Sequence, residues 1–145
     1  MPLHLIKLCV GVDSIRDLEE WIEEQMLLRR RSARPLEQTH TTRMVPKRVT
    51  ELVDGGSLYW VIKGHVAARQ RLLGIRPFTD GDGIGRCHIV LEPAVVAVSP
   101  RPMRPFQGWR YLAHADRPAD LAGHGAEAAD MPEPMRRELA ALGLL

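Results

Sequence analysis

The chain has 145 residues, of which 45% are hydrophobic and 26% are charged, and its net charge is +2. These values predict one globular domain with a core of its own. They exclude a disulfide framework, because the chain has only two cysteines, and the sequence has neither an apolar run of membrane-spanning length nor a secretory leader. We therefore expect a cytoplasmic protein in which Cys9 and Cys87 are buried thiols.

The charges are unevenly distributed along the chain. Residues 25–112 carry fifteen basic and six acidic side chains, a net charge of +9, whereas residues 1–24 carry −4 and residues 113–145 carry −3. A basic middle between acidic ends indicates an anionic partner. The same distribution is also expected of a solvated surface whose charges pair with the acidic ends.

The first half of the chain predicts one strand and two helices. Residues 3–10 are a short apolar run that ends at a glycine, which is typical of a buried strand. Ser14 then caps a helix with an apolar stripe on one face and three arginines in its last turn. A polar linker is expected at residues 32–40. A short helix follows, with Pro46 at its start and a glycine pair at its end.

The second half predicts mostly strands. Residues 58–62 are aromatic and β-branched, and residues 65–78 are read either as a strand paired back on them or as a short helix; the strand is favoured because Gly64 provides a hairpin turn. Residues 80–85 (DGDGIG) predict a tight loop. Further strand or extended segments are expected at 86–91, 94–98, 99–106 and 108–112.

These elements predict an α+β fold, a small, mostly antiparallel β-barrel or curved sheet flanked by helices. Alternating strands and long crossover helices are absent, which argues against a doubly wound parallel sheet. We expect residues 1–112 to form a single domain. Residues 113–131 should be a loose acidic connection, and residues 132–145 a terminal helix that packs on the same domain.

Four phrases carry a resemblance over nearly the whole chain. They are TTRMVPKRVTELVDGGSLYWVIKG at 41–64, RPFTDGDGIGRCHIVLEP at 76–93, RPFQGWRYL at 104–112 and MRRELAALGLL at 135–145. With them the sequence resembles an uncharacterised bacterial family, the domain-of-unknown-function family 1489. That resemblance implies no activity.

A second resemblance concerns about a third of the chain. A short helix that ends in Gly55 and Gly56, followed by a strand that ends in the cation Lys63, is similar to the opening of ASCH domains in the PUA-like group. The resemblance implies a small β-barrel that binds RNA or modified bases. In hydrolytic ASCH domains a Lys and a Thr follow this glycine, but here Ser57 and Leu58 stand in their places. The resemblance therefore implies binding rather than hydrolysis.

Cationic and aromatic side chains form the candidate site. Tyr59 and Trp60 should point to opposite faces of their strand, so one of them can stack a base, and Lys63 should share the face of Tyr59 if the strand is regular. Basic side chains would hold phosphate. The predicted ligand-binding residues are Arg43, Lys47, Arg48, Tyr59, Lys63, Arg69 and Arg76. The secondary candidates are Trp60, His40, Asp82, Arg104, Trp109 and Arg110.

Metal and cofactor chemistry finds little support in the sequence. Asp80 and Asp82 resemble the start of a calcium loop, but Leu91 stands where the later acidic ligand is needed. Cys87 and His88 are adjacent and lack the spacing of a zinc site. We therefore predict neither a metal nor a cofactor.

The leading hypothesis is a non-catalytic module that binds RNA or a nucleotide-type ligand. One alternative is a hydrolase of a modified nucleoside or small amide, with groups such as His40 or Asp82 in a polar pocket. Another is a protein-interaction or structural module that uses the terminal helix.

Overall fold

The computed structural model of the protein describes residues 2–34 and 37–121, which form two helices and a seven-stranded mixed sheet. The elements are β1 (Leu3–Leu8), α1 (Ile15–Arg31), β2 (Gln38–Thr42), α2 (Val49–Val53), β3 (Ser57–Ile62), β4 (His65–Thr79), β5 (Gly85–Leu91), β6 (Val96–Pro102) and β7 (Trp109–Ala113), with a 3₁₀ turn at His114–Asp116. The strand order is β2-β5-β4-β3-β1-β7, and β6 also pairs with β4.

The sheet confirms the α+β class. β1 and β3 are parallel, and the other paired strands are antiparallel. The barrel form of the prediction is not what the described residues show, since their sheet stays open. Side chains of the end strand β7 form hydrogen bonds to the backbone of loop 43–48, and no strand ladder joins the two. Trp109 Nε1 donates to the Met44 carbonyl at 2.6 Å, and the Tyr111 hydroxyl accepts the Lys47 N–H at 3.0 Å.

Helix α1 forms where its stripe predicts it. The Ser14 side chain accepts the Asp17 N–H at 3.1 Å, and Ile15, Leu18 and Ile22 are buried. The predicted linker at 32–40 is wrong at its end, because Gln38 begins β2. The pairing of β2 with β5 satisfies the backbone of this polar, threonine-rich segment, so tertiary context overrides its loop-like composition.

β3 and β4 form a hairpin, which confirms the strand interpretation of residues 65–78. Its two-residue turn places Lys63 at φ 48° and Gly64 at φ 78°. Positive φ at both central positions is the requirement of a type I′ turn, whose twist matches the flanking strands. Lys63 is thus a turn residue rather than the last residue of the strand.

The sheet has an apolar cluster on each face. Trp60 belongs to the cluster beneath α1, with Leu5 and Leu18, whereas Tyr59 belongs to the cluster with Ile6 and Val98. Both rings are buried, at 2% and 1% exposure respectively. The alternation of side chains along β3 separates them, as predicted.

The turn after α2 requires a glycine at position 56. A Cβ there would lie 2.1 Å from the Leu3 carbonyl oxygen and 2.2 Å from that of Leu52. Only a residue without a side chain allows α2 and β1 to approach this closely.

After β7, the described chain folds back over the sheet as far as Leu121. The Ser99 N–H donates to the Ala119 carbonyl at 2.8 Å, the Leu121 N–H donates to the Ala97 carbonyl at 3.0 Å, and Leu121 is buried. The rest of the predicted acidic connection and the predicted terminal helix lie outside the described residues. Within the described ranges, no helix has the length and apolarity needed to cross a membrane.

Candidate functional site

Two of the predicted binding residues, Tyr59 and Arg69, are cross-strand partners on β3 and β4 and line one pocket. The pocket has a volume of about 350 Å³ and lies where the segment after β7 folds over the sheet. We call it the histidine–arginine pocket. It is lined by His4, Gly55, Ser57, Tyr59, Arg69, His114, Arg117, Ala119 and Asp120.

The pocket contains a pair of hydrogen-bonded histidines. His4 is buried at 3% exposure, and its Nδ1 accepts the Ser57 backbone N–H at 3.0 Å. Burial, followed by the nearby charges of His114, Arg117 and Arg69, lowers the pKa of His4 to about 4. His4 is therefore neutral near pH 7, with its proton on Nε2.

This assignment determines the tautomer of the second histidine. His4 Nε2 lies 2.9 Å from His114 Nδ1. Because His4 must donate here, His114 accepts on Nδ1 and in its neutral form carries its own proton on Nε2. For His114 to act as a base through Nε2, its own proton would have to lie on Nδ1 and be donated to His4 Nε2. His4 would then carry its proton on Nδ1, where it would clash with the Ser57 N–H. The pair therefore presents the His114 Nε2–H as a donor, and both of its acceptor nitrogens are already hydrogen-bonded.

The second structural feature is the ion pair between Arg69 and Asp120. Arg69 Nε and Nη2 donate to the two carboxylate oxygens, both at 2.7 Å, and Nη1 donates to Ser57 Oγ at 3.0 Å. The hydrogen bond from Arg69 holds the pKa of Asp120 below its ordinary value. Such a bidentate pair fixes the chain around Asp120 on the sheet.

Tyr59 and Arg117 add donors to the same pocket. The Tyr59 ring meets the His4 ring edge-on at 5.3 Å, and its hydroxyl has no hydrogen-bond partner among the described residues. Burial raises the pKa of Tyr59, so the hydroxyl keeps its proton. Arg117 Nη1 donates to the His114 carbonyl at 2.7 Å, which leaves its other N–H groups available. With Arg69 and Arg117 against Asp120, the pocket has one excess positive charge.

The other five predicted binding residues do not line this pocket. Arg43, Lys47 and Arg48 are exposed in loop 43–48, and the Arg48 guanidinium pairs with Glu51 and lies 5.8 Å from the Tyr111 ring centre. The remaining two are Lys63, in the hairpin turn, and Arg76, which pairs with Glu37. β3 ends at Ile62 and Lys63 lies in the turn at φ 48°, so the expectation that Lys63 shares the face of Tyr59, which was made for a regular strand, does not apply.

The secondary candidates are also dispersed. Trp60 and His40 meet edge-on at 5.2 Å and line a second pocket beside Lys7. Trp109 is buried, and its N–H is used by the Met44 carbonyl. The last three are Asp82, exposed in the loop before β5, Arg104, exposed before β7, and Arg110, whose guanidinium lies 4.7 Å from the Phe106 ring centre.

Sequence reasoning missed four residues of the histidine–arginine pocket: His4, His114, Arg117 and Asp120. His4 and His114 are 110 positions apart, so no spacing signal joins them. The only hint was a histidine inside an apolar strand. Among the residues that the structure describes, no three His, Cys, Asp or Glu side chains are grouped to hold a metal ion.

The fold and the pocket define an α+β protein with an open mixed sheet and a donor-rich polar site. The chain belongs to the family of proteins of unknown function DUF1489, whose model matches residues 5–145. No curated protein and no solved structure matches the chain.

Proposed function

We propose that the protein is a non-catalytic module that binds a nucleotide-type ligand, with the ligand's phosphate in the histidine–arginine pocket. The observation that carries this proposal is a set of donors facing one pocket: His114 Nε2–H, the Tyr59 hydroxyl and the unused N–H groups of Arg117. Donors around an excess positive charge suit a phosphate, which accepts several hydrogen bonds.

The acceptors in the pocket support the same ligand. Both carboxylate oxygens of Asp120 are occupied by Arg69. Ser57 Oγ also accepts from Arg69, and His4 Nδ1 accepts a backbone N–H. Since these acceptors are already engaged, a ligand would meet mainly donors, and an anion is favoured over a cation or a neutral amine.

A hydrolase of a modified nucleoside or small amide is the second candidate, because two histidines meet beside Tyr59. Its weakness is the lack of an available general base, since the hydrogen-bond pattern places a proton on His114 Nε2 and His4 Nδ1 accepts from Ser57. Incubation with N4-acetylcytidine, followed by chromatography, tests this candidate. Release of cytidine by the protein, abolished in His114→Ala, would replace binding by hydrolysis.

RNA is a larger ligand that would present the same kind of phosphate group to the pocket. Its backbone would reach beyond the pocket, and loop 43–48 offers the exposed cations Arg43, Lys47 and Arg48 for additional contacts. A protein-interaction role of residues 132–145 concerns a segment outside the described residues and stays a prediction.

Calorimetric titration with AMP and with inorganic phosphate tests the proposal. Tyr59→Phe removes one hydroxyl, and Arg117→Met removes one guanidinium. We expect each to weaken AMP binding by about tenfold, the effect of one good charged or polar contact. Arg76→Met, on the exposed pair with Glu37, is the matched control and should bind AMP like the parent.

Labelled oligoribonucleotides, titrated by fluorescence polarisation over a salt series, separate the two phosphate sources. RNA binding that weakens in Arg117→Met supports the pocket with RNA as ligand. RNA binding that depends only on Arg43, Lys47 and Arg48 would contradict the pocket. Absence of binding to AMP, phosphate and RNA alike would overturn the proposal.

A further inference from the structure

A second pocket, which we call the Lys7 pocket, lies on the face of β1 opposite to the histidine–arginine pocket. It has a volume of about 400 Å³, within the range of small-molecule sites. It is formed where β1 ends and α1 begins, with β2 at its side. Most of its lining is apolar or aromatic, and the side chains that matter for a ligand are Lys7, Cys9, Asp17, Trp21, His40 and Trp60.

Lys7 is half-buried, and a tryptophan is its backbone neighbour on each adjacent strand. Its backbone partners are Trp60 on β3 and Trp109 on β7, so both neighbours share its face of the sheet. No carboxylate of the described residues forms an ion pair with it. Burial lowers the pKa of Lys7, which indicates that its charge is partly desolvated. An ammonium in this position is normally compensated by an anion.

The other titratable groups of the pocket leave Lys7 as its principal cation. Burial, followed by the charge of Lys7, lowers the pKa of His40 to about 4, so this ring is neutral near pH 7. Burial raises the pKa of Cys9 to about 12, so the sulfur is a thiol. Asp17 is the one acidic side chain of the lining, and its carboxylate accepts the Asp13 N–H at 3.2 Å.

Aromatic rings form part of the pocket wall, with Trp60 2% exposed and Trp21 39% exposed. The Trp60 N–H is already donated to Gln70 Oε1 at 2.8 Å, so Trp60 offers its ring and no donor. His40 meets this ring edge-on. Trp21, on α1, stands at the rim. A flat apolar body would replace water along these walls and bury aromatic surface.

We propose that the Lys7 pocket binds a small aromatic monocarboxylate, with the carboxylate on the Lys7 ammonium and the ring against Trp60 and Trp21. One cation matches one negative charge. The carboxylate of Asp17 disfavours a dianion such as a phosphate monoester, which distinguishes this site from the histidine–arginine pocket.

The test uses probes that separate charge from shape. Benzoate and indole-3-acetate are titrated into the isotopically labelled full chain and followed by amide and indole resonances in NMR spectra. Benzamide is the neutral match of benzoate, and acetate is the match without a ring. We expect benzoate and indole-3-acetate to shift the indole signals of Trp60 and Trp21, with benzamide and acetate binding at least about tenfold more weakly.

Two variants locate the site. Lys7→Met keeps an unbranched side chain of similar length and should weaken benzoate binding by about tenfold or more, and Trp21→Ala should weaken indole-3-acetate binding. Arg71→Met, which removes an exposed cation of β4 outside both pockets, is the control and should bind as the parent does. Thermal melts of each variant establish that it is folded.

The inference fails if benzoate and benzamide bind equally, because Lys7 would then contribute no charge. It also fails if Lys7→Met is folded and binds benzoate unchanged, or if the shifted resonances map away from Trp60 and Trp21. Binding of AMP through Arg117 bears only on the other pocket, so each proposal can fail without the other.

Discussion

The two faces of β1 carry two different pockets made from the same pair of strands. His4 faces one pocket and Lys7 the other, three positions along the chain. His4 is hydrogen-bonded on both ring nitrogens, whereas Lys7 has no ion-pair partner among the described residues. The difference comes from what covers each face: a returning segment of polar side chains on one, and the helix α1 on the other. The segments that pack on each face of β1 therefore determine whether its polar side chains are hydrogen-bonded or left without an ion-pair partner among the described residues.

The largest loss of stability is expected at Gly56, where α2 packs closely against β1, the strand that carries both pockets. Gly56→Ala places a methyl group against the carbonyl oxygens of Leu3 and Leu52, so β1 or α2 must shift. We expect a loss of at least about 2 kcal/mol in the free energy of unfolding, measured by urea denaturation.

Gly81→Ala is the control for that change, because a Cβ there meets no atom within 4 Å. If the two variants are equally stable, the close approach of α2 to β1 is wrong, and the common support of the two pockets is lost with it.

The second effect is a pH dependence of the free energy of unfolding, to which His4 in one pocket and His40 in the other contribute. His4 and His40 each have a pKa near 4 in the folded protein, against 6.5 for the ordinary side chain. Between these values the unfolded chain binds more protons, so stability should fall as the pH drops from about 6.5 to 4. His4 faces His114 and the guanidinium groups of Arg117 and Arg69, and His40 faces Lys7.

Urea midpoints at several pH values measure this dependence. His4→Asn keeps an acceptor for the Ser57 N–H, and His40→Phe keeps a ring against Trp60, and each should flatten part of the decline. A decline that neither His4→Asn nor His40→Phe alters would contradict the burial of both rings as the cause.

A smaller effect distinguishes two ion pairs. Arg69→Met removes the bidentate partner of Asp120 and should lower the unfolding free energy by about 1 kcal/mol, because the pair is partly exposed and also bonds Ser57. Arg76→Met removes the partner of Glu37 and should lower the melting temperature less, because the Arg76 side chain is 59% exposed against 25% for Arg69. Equal losses in the two variants would mean that Arg69 does not hold residues 117–121 on the sheet.

The smallest effect is a gain at the hairpin turn, away from both pockets. Lys63 has φ 48°, a conformation that asparagine adopts more readily than lysine. Lys63→Asn creates the Asn-Gly pair favoured in type I′ turns and should stabilise the protein by roughly 0.5 kcal/mol in thermal unfolding. A loss of stability would indicate that the lysine side chain contributes more than its backbone costs.

Local patterns in the sequence were sufficient for most elements and insufficient for the sites. Capping and an apolar stripe identified α1, and Gly64 identified the β3–β4 hairpin. The same local reasoning extended the strand to Lys63, whereas β3 ends at Ile62 and Lys63 takes the first central position of the turn. It also left β2 as a linker, since its pairing with β5 depends on residues almost fifty positions away.

The sequence by itself determined the α+β class, the separation of Tyr59 from Trp60 and the family, because each follows from local periodicity or from phrases of residues. Only the tertiary structure decided that the sheet stays open, that His4 meets His114, and that Lys7 has a tryptophan as its backbone neighbour on each adjacent strand. These depend on contacts between distant segments, and the free energy of such contacts comes from burial and pairing in three dimensions, which local pattern does not encode.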